Sequence, residues 1–500
     1  MRITNKMMTN NMMTNINRNK VNMTDLEQQY STGKKIQKPS DDPIITVRAL
    51  KLRTNLSELN QYYEKNIPDA MSWMDVTESA LKTVNDILNQ INTYCVQGSS
   101  DTLTANDRSS IVQNLREMRN QIYQEGNTNY AGRYVFTGYK TDSSLIFTED
   151  TEQLSYHITE SFSGSQIQIG SKVTGGYTLK DYDTGASLDV PPQMLNTYRI
   201  QLAYDKLDNI APGDIHYMKR DMNGELVEAD PPFNSGNIVM LPKSDPNAYQ
   251  PAPGTIQFIY DTGEMIMAAD VYEEFRTAED IRIDYTKTGF QKGELKPEHY
   301  FNCEMTDLSK PEQAPIPYVK EKQQIQYEIN YNQMLTINTE GSDAIRHTIG
   351  RGIDDILNSV NDVLQVEEMI AEVEKRLSDT TLTADERQRY EKLMDQLDTE
   401  LELKKEIMQN YFEKGITLTN KEQDIINVAV ADLGSRYVRL ELTENRLSSQ
   451  KVDFEELLSK NEDADVVDTI IKYNAAQAIY NASLAAAAKT VQNSLLDFVK

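Results

Sequence analysis

The spacing of apolar residues changes along the chain and divides it into two helical flanks around a different centre. In the N-terminal flank, apolar residues recur every three or four positions, which is typical of an amphipathic helix. The first stripe comprises Met8, Met12, Ile16, Met23, Leu26 and Tyr30. From Pro43 to about residue 124 the pattern is stronger, and it predicts two helices with a break near Gly98.

Helix starts are marked by capping residues at two places. Thr104 precedes an apolar stripe, and Asp107 follows three residues later, so the hydroxyl and the carboxylate can both satisfy amide groups at the helix start. Thr383 and Glu386 repeat this arrangement. Apolar residues fall on heptad-like spacings on either side of the second cap, which predicts an antiparallel helical hairpin over residues 353–411.

In the centre the period becomes two, which is typical of β-strands. Strands are predicted at residues 132–140, 155–161, 165–173, 255–260, 264–267, 280–286 and 324–339. Thirteen of the sixteen prolines lie between Pro191 and Pro317, and proline is disfavoured inside helices. Asn223-Gly224 is a hairpin-turn signal. The centre is therefore predicted to be β-rich, with long loops.

The last helix, over residues 466–498, has two apolar stripes and is rich in alanine. One stripe contains Val467, Ile471, Ala475, Ala478, Ala482, Ala485, Val491 and Leu495, and the other contains Ile470, Tyr473, Tyr480, Leu484 and Ala487. A helix that is apolar on two sides cannot bury both faces alone. We therefore expect it to pack against more than one neighbour.

Residues 30–43, YSTGKKIQKPSDDP, interrupt the helical pattern. They fail as a phosphate loop, because that loop needs a glycine five positions before its Gly-Lys pair and a Ser or Thr after the lysine. A hinge between two helices explains the stretch better. Gly33 suits the end of one helix, Pro39 prevents its continuation, and Asp42 can cap a second helix that begins at Pro43. We expect the lysines to keep this turn solvated.

Composition limits the partners and the location of the protein. The formal charge of −26 and the pI near 4.7 argue against nucleic acid or anionic membranes as partners. Residues 1–20 contain no continuous apolar segment of the kind that a cleavable signal peptide needs, and no stretch of about 18 apolar residues occurs. If the protein is secreted, we expect a route without such a peptide.

No constellation of residues indicates catalysis. Cys95 and Cys303 are far apart and predict neither a disulfide framework nor a zinc site. The four histidines, His157, His216, His299 and His347, are isolated from one another and from acids at ligand spacing. Asp221 begins a stretch that lacks the closing Glu of a calcium loop. We therefore expect no enzyme activity, no metal and no cofactor.

Two motifs resemble those of the bacterial flagellin family. The first is Ser31-Thr32-Gly33-Lys34 followed by Pro39-Ser40-Asp41-Asp42-Pro43, and the second is the segment from Gly132-Arg133-Tyr134 to Thr141. The C-terminal run that begins Tyr473-Asn474-Ala475-Ala476 is also similar. The bracketing prolines and Lys35 fit the flagellin-like subunits that join hook to filament better than they fit filament flagellin itself. The resemblance covers roughly residues 1–175 and 324–500.

The resemblance implies a structural subunit of the flagellum, located outside the cell and exported by the flagellar type III apparatus. It implies self-association into a ring, contacts with neighbouring hook-associated and flagellin subunits, and an export chaperone that binds the C-terminal region. A filament flagellin is one alternative. A secreted adhesin or enzyme, with its activity in the central insert, is another.

The predicted fold class is α+β, with a long α-helical coiled-coil bundle formed by both flanks around an inserted β-rich domain. The predicted segments are an assembly helix and hinge (1–42), a helical half (43–140), a β element (141–177), the insert (178–318), a β element (319–345), a second helical half (346–460) and an assembly helix (461–500). The predicted hinge residues are Gly33, Pro39, Asp42 and Pro43. The predicted assembly interface comprises Met8, Met12, Ile16, Met23, Leu26, Val467, Ile471, Ala475, Ala478, Ala482, Ala485, Val491 and Leu495.

Overall fold

The computed structural model describes residues 5–100, 103–185, 187–221, 223–228, 233–379 and 381–496, without the side chains of residues 5, 235 and 490–496. The helices are α1 (Asn5–Thr32), α2 (Pro43–Gln61), α3 (Ile67–Gly98), α4 (Ala105–Glu125), α5 (Leu179–Thr184), α6 (Ala269–Phe275), α7 (Gly341–Ala344), α8 (His347–Leu377), α9 (Ala384–Glu462) and α10 (Val466–Leu496). Long helices at both flanks around a β-rich centre confirm the predicted α+β class.

The strands are β1 (Asn129–Tyr130), β2 (Arg133–Tyr134), β3 (Thr151–Phe162), β4 (Gln168–Thr174), β5 (Gln193–Gln201), β6 (His216–Arg220), β7 (Leu226–Glu228), β8 (Ile238–Leu241), β9 (Ile256–Ile259), β10 (Glu264–Met267), β11 (Asp280–Phe290), β12 (Asn302–Asp307), β13 (Ile316–Tyr318), β14 (Gln326–Asn330) and β15 (Gln333–Thr336). They form a five-stranded sheet in the order β4-β5-β10-β9-β8 and a six-stranded sheet in the order β13-β12-β3-β11-β6-β7. Two further pairs are β1-β2 and β14-β15.

Both large sheets are antiparallel except at one edge, where β8 runs parallel to β9. Alternate residues of β3 and β11 enter one shared core, which includes Ile158, Tyr217, Phe258, Phe275 and Ile283. The hairpin predicted at Asn223-Gly224 joins β6 to β7, and Gly224 has a φ of 83°. Glycine adopts this left-handed conformation without steric cost, so the turn follows directly from the sequence.

The single strand predicted over residues 132–140 is wrong. Only Arg133–Tyr134 is a strand, because Ala131, Gly132 and Gly138 all adopt positive φ and turn the chain. Val135 and Phe136 are consecutive and both buried, whereas strand residues point to alternate faces. The apparent alternation of this segment therefore comes from a folded loop.

The sheets cross the boundary that we predicted between residues 177 and 178. β4 pairs along its whole length with β5, and β3 pairs with both β11 and β12. The segment predicted as a separate β element therefore shares its sheets and core with the insert.

The helical hairpin is longer than its predicted extent. Its second limb is one helix of 79 residues, α9, which continues past Tyr411 to Glu462. The segment between β4 and β5 packs on the end of the hairpin, where Tyr182 of α5 stacks on Tyr390 with ring centroids 3.9 Å apart. Leu188 joins the same apolar cluster as Val366, Val373, Leu393 and Leu397.

Contacts between Cα atoms divide the chain into two compact units. The first contains Met1–Ala70, Tyr327–Leu335 and Val438–Lys500, and the second contains Met71–Gln326 and Thr336–Tyr437. In the first unit, a π-helical turn over Tyr62–Asn66 precedes Pro68, and the Ile67 N–H donates to the Tyr62 carbonyl. Because Pro68 lacks an N–H and its ring crowds the preceding turn, a widened turn at this place has a local cause.

Candidate assembly surface

The hinge begins where α1 ends. Gly33 has a φ of 70°, and its N–H donates to the Gln29 carbonyl at 2.9 Å. A Cβ at this position would meet no atom within 4 Å, so backbone conformation rather than space favours glycine. Pro39 lies in the turn that follows.

Two consecutive aspartates organise the start of α2. Asp42 is the N-cap, and its carboxylate accepts from Ile44 N at 2.9 Å and Ile45 N at 3.1 Å, with Pro43 in the first turn. Asp41 accepts from the backbone N–H groups of Lys38 and Gln37, which lower the pKa of its carboxyl. The hinge geometry thus follows from short-range chemistry that the sequence displays.

The hinge is joined to the connection between α9 and α10. Lys35 N donates to the Glu462 carbonyl at 2.7 Å, and Ala464 N donates to the Gly33 carbonyl at 2.8 Å. Asp465 then caps α10 by accepting from Val467 N and Asp468 N. The two chain connections therefore form one structure, although they lie more than 400 residues apart in sequence.

Charged side chains reinforce this contact. The Lys34 ammonium lies 2.5 Å from an Asp463 carboxylate oxygen and 3.4 Å from Glu462, and Arg53 lies 2.6 Å from Glu462. The hydrogen bond between Lys34 and Asp463 raises the pKa of the lysine and lowers that of the aspartate. Lys34 therefore also joins the hinge to the connection between α9 and α10, in addition to the solvating role that the sequence predicted.

α1 and α10 pack against each other in the same chain. Lys34 is paired with Asp463, and Asn19 donates to the Ser483 hydroxyl at 3.0 Å, so the two helices run antiparallel. On α1, Ile16 is buried, and Met12, Met23 and Leu26 are half-buried on the same side. On α10, Thr469, Tyr473, Tyr480 and Ser483 form the less exposed side.

The first predicted stripe of α10, which begins at Val467, lies on the side of the helix opposite to the one that meets α1. We call Val467, Ile471, Ala475, Ala478, Ala482 and Ala485 the outer stripe. All six are exposed, with Val467 at 69% and Ile471 at 63%. Ile471 and Tyr480 are nine residues apart, which is two and a half helical turns and places them on opposite sides. The predicted interface side chains of Val491 and Leu495 lie outside the described part of the structure.

The five predicted interface residues of α1 are not all exposed in the way that those of the outer stripe are. Four of the five lie on or near the side that meets α10, whereas Met8 is 48% exposed. Tyr30, which belongs to the sequence stripe, is also exposed, and further exposed apolar residues on α1 that the stripe missed are Met7, Met13 and Val21. Their irregular spacing gave no periodic signal. The structure therefore brings most of the N-terminal stripe and most of the second stripe of α10 together within one chain, and it leaves the outer stripe uncovered.

The histidines and cysteines remain separate from one another. Burial lowers the pKa of His299 to about 3 and that of His347 to about 4, and it raises the pKa of both Cys95 and Cys303 to about 12. His216 contacts Glu228 across the β6–β7 hairpin, and His157 contacts Thr286. Among the described residues, no group of three His, Cys, Asp or Glu side chains could hold a metal ion.

The helices in the described ranges fall short of what a membrane span requires. None of them is both long enough and apolar enough to cross a bilayer.

The N-terminal part of the chain is similar to a known protein family. Residues 3–141 match the family model described as the bacterial flagellin N-terminal helical region. Over 189 residues the chain is 30% identical to flagellar hook-associated protein 3 of Salmonella typhimurium, across 38% of this chain and 56% of that protein. It is also 32% identical over 128 residues to a flagellin of Clostridium tyrobutyricum, across 26% of this chain and 34% of the flagellin.

Among solved structures, the flagellar junction protein FlgL from Legionella pneumophila matches 84% of this chain and 100% of its own, at 11% identity and a TM-score of 0.29. The aligned part spans about half the length of the hook-associated relative named above. The sequence matches confirm the resemblance to the flagellin family, and to hook-associated protein 3 within it.

Proposed function

We propose that this chain is a structural subunit of the bacterial flagellum that joins hook to filament. The observation that supports this most strongly is the outer stripe of α10, an exposed row of alanine, valine and isoleucine in a chain whose N-terminal part is of the flagellin type. Alanine permits close approach between helices, and apolar residues on such a face are stabilised by removal from water. The similarity to hook-associated protein 3 favours the junction.

In this proposal, copies of the chain associate into a ring through the outer stripe, while α1 and α10 remain paired within each copy. Neighbouring hook-associated and flagellin subunits occupy the two ends of the ring. The protein is extracellular, in the flagellum, and is secreted without a cleavable signal peptide. An export chaperone binds the C-terminal region before assembly, and the protein has no catalytic role.

A filament flagellin is the second candidate, and it is favoured by the 32% identity to a flagellin over 128 residues. The two candidates share their assembly chemistry and differ in location and copy number. A test of location therefore separates them directly.

The test is immunogold electron microscopy on intact flagellated cells, with an antibody against residues 178–318. Cells that lack the gene provide the control for antibody specificity. We expect label in one narrow band between hook and filament. Label along the whole filament would establish a flagellin instead, and label away from flagella would overturn both candidates and favour a secreted adhesin or enzyme.

A further inference from the structure

A cleft lies between the edge strand β4 and residues 407–417 of α9, all within the second compact unit. Its volume is about 370 Å³, and a volume of this order is sufficient for a small ligand or a short peptide segment. Ile169, Gly170 and Ser171 form its strand side, and Tyr411, Glu413 and Lys414 contribute to its helix side. The proposed function of this chain, as a structural subunit that joins hook to filament, does not involve this cleft.

The hydroxyl of Tyr411 has no hydrogen-bond partner in the described part of the chain. The residue is only 7% exposed, and the hydroxyl oxygen itself is buried. A buried hydroxyl without a partner costs free energy that an incoming acceptor would recover. Three cations surround the ring: the Lys414 ammonium and the Arg199 guanidinium lie 5.5 Å from its centroid, and the Lys172 ammonium lies 6.0 Å away. The missing acceptor should therefore be an anion.

Two of these cations are already neutralised beneath the cleft. Arg199 pairs with Glu264 at 2.5 Å and with Asp355, and the Lys172 ammonium lies 3.7 Å from Glu264. All four side chains are largely or fully buried, so the network is complete without a ligand.

Lys414 differs from the other two cations. Among the described residues it forms no ion pair, and its ammonium donates to the Ile169 carbonyl at 3.1 Å. Burial lowers the pKa of this lysine, and the nearby Arg199 lowers it further. The neighbouring Glu413 is exposed at the rim of the cleft, where water solvates its carboxylate. Lys414 is therefore the cation that remains for an incoming anion.

The strand side of the cleft suits an extended chain. β4 is the first strand of its sheet, and among the described strands only β5 pairs with it. Backbone groups at such an edge can pair with an added strand. Gly170 carries no side chain at the middle of this edge, and the Ile169 carbonyl there is held by a lysine rather than by a strand.

We propose that this cleft binds an acidic, extended peptide segment of another protein, which adds to the edge of β4 and places a carboxylate on Lys414 and Tyr411. The ammonium exchanges the Ile169 carbonyl for the carboxylate, and its movement opens access to the buried Tyr411 hydroxyl, which then donates to the same group. Ile169 then becomes available to an amide of the added strand. The new bond joins an ammonium to a carboxylate, two ionised groups, whereas the bond that it replaces joins the same ammonium to a neutral carbonyl.

The test uses the full-length chain and isothermal titration calorimetry with two peptides, acetyl-Thr-Val-Glu-Val-Thr-amide and its counterpart with Gln in place of Glu. We expect the Glu peptide to bind at least tenfold more tightly than the Gln peptide. Lys414→Met should remove this preference, and Tyr411→Phe should weaken binding of the Glu peptide several-fold. Glu413→Gln should strengthen it, because a like charge leaves the rim.

Lys421→Met, on the same helix but outside the cleft, is the matched control and should bind like the wild type. Equal binding by Lys414→Met and Lys421→Met would overturn the proposal, as would the absence of Glu-peptide binding at millimolar concentration. Sodium acetate distinguishes a free carboxylate from a peptide: displacement of the peptide by equimolar acetate would show that strand addition contributes nothing, and would also overturn it.

Discussion

A single buried carboxylate links the stability of the β-rich region to pH. Glu160 of β3 is 2% exposed, and its carboxylate accepts from Ala203 N at 2.9 Å and from the Tyr285 hydroxyl. Burial raises the pKa of Glu160 from 4.5 to about 7, because the two hydrogen bonds and the more distant Arg351 only partly offset desolvation. The protonated form is therefore favoured in the folded state. Its stabilising effect is complete below pH 4.5 and is lost as the pH rises through 7.

Glu160→Gln should remove this dependence. We expect the variant and the wild type to have similar free energies of unfolding near pH 5, and the variant to become more stable by up to about 3 kcal/mol at pH 8. Urea titrations at four pH values between 5 and 8, followed by near-ultraviolet circular dichroism, measure this difference. His299 and His347 have lowered pKa values and affect stability with the opposite sign, but they are common to both proteins and cancel. A difference that stays constant across this range would contradict the assignment.

Residues whose role is local could be predicted from the sequence. Thr383 and Glu386 form the predicted capping box, in which Thr383 N donates to the Glu386 carboxylate at 2.9 Å and Glu386 N donates to the Thr383 hydroxyl at 3.3 Å. Asp42, also predicted, caps α2 by accepting from the backbone N–H groups of Ile44 and Ile45. The role of Lys34 could not be predicted, because its partner Asp463 is 429 positions away.

At the scale of elements, three helices meet at one glycine. A Cβ on Gly415 of α9 would lie 2.6 Å from Ile356 Cδ1 of α8 and 2.9 Å from Cys95 Sγ of α3. Real side chains do not approach this closely, so the helices pack as they do because position 415 has no side chain. Gly434, on the same helix, has no atom within 4 Å of a constructed Cβ.

Gly415→Ala should therefore destabilise the second compact unit by about 1–3 kcal/mol, because the added methyl forces the neighbouring side chains to move. Gly434→Ala is the matched control and should stabilise the protein by about 0.5–1 kcal/mol, because alanine favours a helix without a clash. The double variant Gly415→Ala/Ile356→Val should recover part of the loss. Thermal unfolding of the four proteins provides the measurement, and equal shifts for the two glycine variants would contradict the packing argument.

The helices and strands also show which features of the fold can be predicted from the periodicity of the sequence. It predicted the helical flanks and most strands, because burial on one side leaves a regular trace in the sequence. It could not show that β4 pairs with β5 on the far side of a predicted domain boundary, or that Tyr182 packs on the end of the helical hairpin, since both contacts join distant segments. The cleft beside β4 could not be predicted from the sequence for the same reason, because its polar groups lie on elements more than 230 residues apart.

At the scale of the whole molecule, the sequence predicted the terminal stripes but could not assign their partners. Both stripes of α10 carry the same periodic signal, although one packs on α1 and the other is exposed. Opposite charge favours the pairing within the chain: residues 1–35 contain six Lys and Arg against two Asp and Glu, whereas residues 461–500 contain three against five. A change on the outer stripe should therefore affect association between copies and leave the fold of each copy intact.

Ile471→Asp tests this separation. It places a charge within the outer stripe, where it is solvated in the single chain but would be desolvated between copies. We expect an unchanged melting temperature for the monomer, normal export, and at least a tenfold loss of incorporation into flagella. Gln477→Asp adds the same charge to an exposed polar position of α10 away from the stripe, and it should incorporate normally.

The two variants are compared in cells that lack the wild-type gene, by counting the subunit in purified flagella and in the growth medium. A subunit that accumulates in the medium only for Ile471→Asp would locate the assembly contact on the outer stripe. Equal incorporation of both variants would show that α10 is not the surface through which copies meet. In that event the exposed residues of α1, among them Met7, Met13 and Val21, would be the next to test, because they are also uncovered apolar side chains of the terminal helix pair.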